Sequence, residues 1–397
     1  MRLLFVTPFY HPQHKFGGPP RKIHALASGL MRRQVEVLVA TFDAENATNR
    51  ERRSVESVPV QYLPWIGKGL RQFPLDRRSL STAIRRADLI HCYGLYNLIC
   101  PIAMRFARRS RRPVVLEPLG MYPPRARNRF AKRFYNTVLT RRMIRQSRAV
   151  VAASLGEIKD LQEIVPPDKL VFRPNGIDLE RFKNLPPGGT LRIRWNLSSQ
   201  ERVVLFIGRI SPIKNLEQLI LAFAEAGLPK THLLLVGPSS EEAYMRKLHS
   251  IVSERQLERR VTFAGPLYEE QQRAALGLAD LFVMPSLNES FGNAAGEAVA
   301  ADVPVLLTNT CGIAQLIDRR AGLAVSLGVE SLAEGLKEML DPAQRDALTS
   351  QREQVKRELP WDEPVRQTEE LYRRIIEQYQ PHPSYNLTTG SRTSWSH

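Results

Sequence analysis

Short continuous apolar runs alternate along this chain with longer segments of helical periodicity. The runs at 2–7, 35–39, 58–63, 89–92, 114–116 and 150–153 are too short for helices and lack polar alternation. They read as strands buried on both faces of a parallel sheet. Helices are predicted from about 19 to 33, between 92 and 114, and over 125–148, while the polar stretch 43–57 reads as loop. The pattern restarts at Val203–Ile207 and continues through strands at 232–237, 261–265 and 279–284, with helices between them. Further helices are predicted near 329–340 and 343–358, and 361–380 forms an amphipathic helix with Trp361, Val365, Leu371, Tyr372 and Ile375 apolar. The fold class is therefore α/β, with two Rossmann-like doubly wound parallel-sheet domains. The linker chemistry of Pro186-Pro187-Gly188-Gly189 sets their boundaries at 1–185 and 186–360. The helix 361–380 follows, and the polar, proline-broken residues 381–397 are expected to be disordered.

Composition fits that picture, with 43% hydrophobic and 24% charged residues in a chain of 397, long enough for two cores. The first apolar run is too short for a signal peptide, and none approaches the roughly eighteen residues that span a bilayer. Cys92, Cys100 and Cys311 are scattered without ligand spacing, which points to a reducing cytoplasm with neither disulfide framework nor zinc site. The net charge of +17 is unevenly placed: residues 1–185 carry 34 Lys+Arg against 14 Asp+Glu, and the remainder 23 against 26. Within 105–148 stand fourteen cations and one acid, Glu117. Such a field attracts a polyanion or an anionic membrane surface. No aromatic-basic interleaving or recognisable module supports nucleic acid, so a peripheral position on the inner face of the cytoplasmic membrane is the expectation. Phe130, Phe134 and Val138 recur at i, i+4, i+8 in the basic helix. That stripe is expected to pack on its own sheet, leaving Arg141, Arg142 and Arg145 for lipid phosphates.

Candidate chemistry concentrates between 285 and 305. Pro285 halts a buried strand, small residues from Asn293 to Ala301 read as a helix, and Glu289 and Glu297 flank the join with seven residues between them. Free amides from Phe291 to Ala294 suit an anion, and Gly292 lets that anion approach the backbone. Two carboxylates beside an anion site make sense if they accept hydrogen bonds from hydroxyls, and a sugar nucleotide offers both. Earlier, Gly208-Arg209 leaves one strand and Lys214 enters the next helix, so the two cations can converge on a diphosphate. Gly17-Gly18 follows the first strand, but it is not G-x-G-x-x-G and no acid follows at the dinucleotide distance, which argues against NAD.

The 285–305 stretch resembles the E-x7-E signature of retaining glycosyltransferases of family 4, which have the two-domain GT-B fold with both domains facing a cleft. Gly208-Arg209 to Lys214 resembles the family's Gly-Arg-x4-Lys element, and Arg173-Pro174-Asn175-Gly176-Ile177-Asp178 its Pro-Asn-Gly-Ile-Asp segment. The resemblance implies that Glu289 touches the transferred sugar and Glu297 the nucleotide ribose. It places Leu267 by the nucleobase through its backbone, and Gly17 and Gly18 near the donor phosphate or the acceptor. His91 matches an acceptor-side family position, and Leu119-Gly120 stands where many relatives carry His-Gly. Gln315 in place of Glu, and Asp302 in place of Gly, are further departures. The catalytic set is then Arg209, Lys214 and Glu289. The donor site adds Gly17, Gly18, Gly208, Leu267, Phe291, Gly292, Asn293 and Glu297, and the acceptor side His91 and Gly120. Neither metal nor cofactor is called for, since there is no Asp-x-Asp motif at a strand end and the nucleotide-sugar, UDP- or GDP-linked, is a substrate. The resemblance implies a glycan or lipid-linked acceptor, in bacterial cell-surface polysaccharide synthesis. Two alternatives remain open: a basic nucleic-acid-binding protein, and a GT-B relative with epimerase or phosphorylase chemistry.

Overall fold

The computed structural model describes residues 1–13, 18–67, 72–124, 129–239 and 241–379, and the chain divides into two units. The first comprises Met1–Pro174 and the segment that begins at Trp361, and the second is Asn175–Pro360. The first unit contains β1 (Arg2–Val6), β2 (Glu36–Thr41), β3 (Arg52–Val55), β4 (Val58–Tyr62), β5 (Trp65–Ile66), β6 (Phe73–Pro74), β7 (Leu89–Tyr93), β8 (Val114–Glu117), β9 (Ala149–Ala152) and β10 (Leu170–Phe172). Eight of them form one sheet, ordered β10-β9-β8-β7-β1-β2-β4-β3, and β5 pairs with β6 apart from it. Helices on both faces explain why β1, β7 and β8 are mostly apolar and buried almost end to end, with Arg2, His91 and Glu117 as their polar members.

Only β3 runs antiparallel in that sheet, and it lies in the polar stretch 43–57 that the sequence pattern predicts as loop. It is a polar edge strand, with Arg53 and Ser54 exposed, so no apolar run marks it. The turn to β4 is made by Glu56 and Ser57, both with positive φ, the geometry that tight hairpins favour. The expected domain boundary at 185 moves to 174. Ile177 donates its N–H to the Leu359 carbonyl at 2.7 Å, and Ile177 and Phe182 join the core of the second unit.

The basic segment departs further from expectation. It contains a helix Arg129–Tyr135, a π-helical turn Asn136–Thr140 and a helix Arg141–Gln146. Tyr135, Thr140, Met143 and Ile144 face inward, while Phe134 is 72% and Val138 49% exposed. The expected inward stripe is therefore turned outward at two of its three positions. A π turn adds residues to the turn and rotates the face that follows. The Phe130 side chain and residues 125–128 lie outside the described residues, as do residues 381–397 and the expectation of disorder there.

A charged network lies inside the first unit. The Glu117 carboxylate at the end of β8 meets Lys22 from the helix Gly18–Arg32 and Arg173 just beyond β10, the latter at 2.7 Å. His91 in β7 lies 3.7 Å from Glu117 through Nε2, and its Nδ1 is 2.5 Å from the hydroxyl of Tyr372. All of these side chains are almost completely buried. The acceptor-side expectation for His91 is thereby corrected: its ring is 0% exposed and tied to internal partners. Tyr372 belongs to the C-terminal helix Asp362–Tyr379, which packs on this unit through Val365, Leu371 and Ile375. Each such side chain contributes roughly 1.5–3 kcal/mol on full burial. The helix approaches closely at Gly29, where an added Cβ would stand 2.5 Å from a Val365 methyl.

The second unit holds β11 (Arg202–Ile207), β12 (Thr231–Val236), β13 (Val261–Gly265), β14 (Leu281–Met284), β15 (Val305–Thr308) and β16 (Gly322–Val325). They form a wholly parallel sheet in the order β13-β12-β11-β14-β15-β16, with an apolar core on each face. The order reverses between β11 and β14. The chain steps outward to β13 and then returns to lay β14 on the other side of β11.

Two outcomes are expected. Burial holds the His91 imidazole at about 3, and Arg173 and then Lys22 outweigh burial to hold the Glu117 carboxyl at about 2. Both groups bind protons more readily once unfolded, at roughly 6.5 and 4.3. The stability they contribute is present above those values and is lost as pH falls toward the folded ones. Hydrogen exchange of the β7 and β8 amides should therefore accelerate steadily from pH 6.5 downward, after correction for intrinsic rates, and His91→Gln should flatten the upper part of that dependence. Gly29→Val should cost about 1–3 kcal/mol in urea unfolding through overpacking. Adding Val365→Ala should recover part of the loss.

Candidate functional site

The candidate site grows from the reversal of strand order in the second unit. In an open α/β sheet the loops leaving two neighbouring strands on either side of such a reversal diverge, and a crevice opens at their carboxyl ends. Here those strands are β11 and β14, paired Val204 to Leu281 and Leu205 to Phe282. Gly208 and Arg209 leave the first, and Pro285 to Gly292 leave the second.

After β11 the chain is fixed by close backbone contact. Gly208 donates to the Val236 carbonyl at 2.9 Å, and a Cβ on the neighbouring Gly237 would fall 1.8 Å from the Gly208 oxygen. Arg209 is exposed on this loop. Pro212–Lys214 forms a single 3-10 turn, and Asn215, at φ 56°, redirects the chain into the helix Leu216–Ala226. Asparagine tolerates that left-handed conformation better than most residues. Lys214 is thus held immediately before a helix start.

The loop after β14 is tied on both sides. Leu287 donates to the Ile213 carbonyl at 2.9 Å, which joins it to the turn that carries Lys214. On the other side Gly312 donates to the Glu289 carbonyl at 3.0 Å and Ile313 to that of Phe291 at 2.7 Å. Hydroxyls of Thr308 and Thr310 both donate to the Ser286 carbonyl, at 2.7 and 2.6 Å. The result is direct contact between Lys214 Nζ and a Glu289 carboxylate oxygen, each side chain about one-fifth exposed. Burial pushes the neighbouring Cys311 thiol up to about 12, so it stays protonated.

Gly292, at φ 109°, begins the helix Asn293–Ala300 and offers no capping side chain to its first amides. Any Cβ there would be strained and would sit 3.0 Å from Ile313. Asn293 and Glu297 lie one turn apart on this helix, hence on one face. The Phe291 and Leu267 side chains point into the core at 5% and 2% exposure, so only their backbones can face a ligand. Asn175 was not among the candidates: its amide donates to Asn293 Oδ1 at 3.1 Å, and Ile177 fills the space above Gly296. The signal was the Pro-Asn-Gly-Ile-Asp segment itself, which marked a boundary and hid a contact. Gln315 is exposed on the short helix Ala314–Ile317.

The structure therefore brings Lys214 and Glu289 into contact and sets Gly208, Arg209, Gly292, Asn293 and Glu297 on elements leaving the same two strands. In the first unit, Gly18 begins the helix Gly18–Arg32, and Gly120 turns at φ 68° and donates its N–H to Glu157 at 2.6 Å. Gly17 lies outside the described residues. Among the described residues no group of three or more His, Cys, Asp or Glu could hold a metal ion.

Residues 190–356 match the family model of the Glycosyl transferases group 1, and residues 17–176 match that of the Glycosyl transferase 4-like domain. A D-inositol 3-phosphate glycosyltransferase from Kineococcus radiotolerans is 30% identical over 249 residues, 57% of this chain and 57% of the relative. A GDP-mannose:cellobiosyl-diphosphopolyprenol alpha-mannosyltransferase from Xanthomonas oryzae pv. oryzae is 27% identical over 292 residues, 70% of this chain and 72% of the relative. The chain thus spans little more than half the length of the first relative. Among solved structures, sucrose-phosphate synthase (tll1590) from Thermosynechococcus elongatus aligns with a TM-score of 0.74 at 22% identity, over 95% of this chain and 99% of that one. Anabaena Alr3699/HepE in complex with UDP and glucose aligns with a TM-score of 0.75 at 20% identity, over 94% of this chain and 100% of that one. At such identities the likeness carries the fold alone, and that fold is GT-B. With one family model on each unit, the chain belongs to the group 1, family 4-like glycosyltransferases.

Proposed function

We propose that this protein is a retaining glycosyltransferase that moves a sugar from a UDP- or GDP-linked donor to a glycan or lipid-linked acceptor, in the assembly of a bacterial cell-surface polysaccharide. The observation that carries the reading is the Lys214–Glu289 contact at the reversal of strand order, beside an uncapped helix start. The Lys214 ammonium has three donors, so Glu289 can orient it and still leave donors for a diphosphate. Arg209 and the amides at Asn293 and Ala294 complete a positive lining. These groups stabilise charge that grows on the diphosphate as the sugar leaves, which is where catalysis by fixed donors gains most. Glu289 and Glu297 accept hydrogen bonds from the sugar and ribose hydroxyls. The acceptor hydroxyl attacks the anomeric carbon on the face the diphosphate departs from, and its proton passes to the leaving phosphate. The product keeps the donor's anomeric configuration. With two cations on the diphosphate, the reaction needs no divalent ion. The name of the Xanthomonas relative, with its GDP-linked sugar and diphosphopolyprenol acceptor, supports a lipid-linked acceptor.

The same proposal places the first unit at an anionic membrane surface. Phe134 and Val138 project outward from the basic segment, which carries most of the local cations. No helix among the described residues is long and apolar enough to cross a membrane, so the contact would be peripheral.

Thermal shift with UDP, GDP and their sugar conjugates should show stabilisation by one base series, and free nucleoside diphosphate should appear only when acceptor is present. Release without acceptor and interconversion of the donor sugar would point to an epimerase instead. Lys214→Ala and Arg209→Ala should each lower kcat by about 10²–10³. Glu289→Gln should lower kcat while nucleoside diphosphate binding stays within about threefold. Chelator should leave the rate unchanged, and NMR of the product should show the donor's anomer.

A further inference from the structure

We infer that a groove in the first unit, between the exposed face of the helix Arg141–Gln146 and the turn before β10, binds the phosphate headgroup of an anionic glycerophospholipid. This rests on the reading of the first unit as membrane-facing and assigns that contact to one place. The groove encloses about 600 Å³. One wall presents Thr137, Arg141 and Arg145, spaced so that they follow one another along a single helical face, and the other presents Glu163, Ile164 and Lys169. Neither Arg141 nor Arg145 has an ion-pair partner among the described residues, and both are exposed. Lys169 donates to the Arg145 carbonyl at 3.2 Å, which holds its ammonium at the groove with donors to spare. Three cations against one acid, Glu163, match a phosphodiester, whose oxygens can take a forked pair of hydrogen bonds from a guanidinium.

The residues beside the groove favour lipid over a soluble phosphate. Phe134 and Val138 stand one turn apart on the same exposed face, next to Thr137, at 72% and 49% exposure. Large apolar groups beside a cationic pocket are what an interface with headgroups above acyl chains requires. The segment buries Tyr135, Met143 and Ile144 instead, which leaves these two apolar side chains outside.

The full chain, incubated with vesicles of phosphatidylglycerol in phosphatidylcholine, should sediment with them, and should stay in solution with phosphatidylcholine alone. Arg141→Glu combined with Lys169→Glu should weaken binding to the anionic vesicles at least about tenfold, while the thermal shift by nucleoside diphosphate stays as in the unaltered chain. Val138→Trp, an alteration that leaves the groove's charges in place, should give fluorescence that shifts to the blue with anionic vesicles and is quenched by brominated phosphatidylglycerol. Binding retained by the charge-reversed double variant, or a Val138→Trp signal unmoved by anionic vesicles, overturns the groove while leaving a membrane contact elsewhere on the unit. Failure of the unaltered chain to sediment overturns both that contact and the groove, and so does stabilisation by soluble glycerol phosphate without vesicle binding. None of these outcomes bears on sugar transfer, which the nucleotide assays test separately.

Discussion

The parallel pairing of β11 with β14 is the constraint on which the candidate site depends. Because the chain builds β12 and β13 on one side of β11 before returning to the other, the two loops that carry Arg209, Lys214 and Glu289 leave adjacent strands in the same direction. Neither loop defines a site alone. The Leu287-to-Ile213 hydrogen bond converts adjacency into contact, since it fixes the register between the loops and leaves the lysine and glutamate side chains nowhere better to go than each other. A pair only partly buried contributes little to stability. Its effect is to hold the Lys214 ammonium against the loop that leads into the helix Asn293–Ala300.

Much of this was legible in the sequence, and for a definite reason. Strands buried on both faces must be continuous apolar runs, so β1, β7, β8, β11, β12 and β14 declare themselves by composition, and the chemistry follows from which residues come next. What stayed hidden has equally definite causes. β3 is polar because it is an edge, so no apolar run marks it. The exchange of His91 from acceptor side to interior could not be read from a lone histidine at a strand end. Its partner Tyr372 is 281 positions away, on a helix that the pattern predicts but whose contacts it does not.

Departures from the family pattern are informative when the backbone explains them. Asp302 stands where relatives often carry Gly, and it adopts φ 63°, the conformation in which glycine carries no penalty and aspartate a small one. Its carboxylate meets Lys356 at 2.6 Å and Arg352 at 3.2 Å, so what the residue loses in backbone freedom is offset by tying the helix Arg352–Glu358 to the turn. This substitution is structural, although it lies within the stretch where the candidate chemistry concentrates.

The single acid in the cationic stretch 105–148 resolves an apparent contradiction in the first unit. A surface this basic repels itself, and Glu117 looks too little to compensate. The structure shows that it was never a surface residue: it is 0% exposed and neutralises Lys22 and Arg173, which are buried as well. The cations around it on the outside are left without an internal counter-charge by the same folding that encloses their one acid. A positive surface bearing outward apolar residues gains free energy by finding anions and an apolar phase together. On the membrane reading proposed above, an external anionic surface supplies the counter-charge that the interior does not give to this basic field.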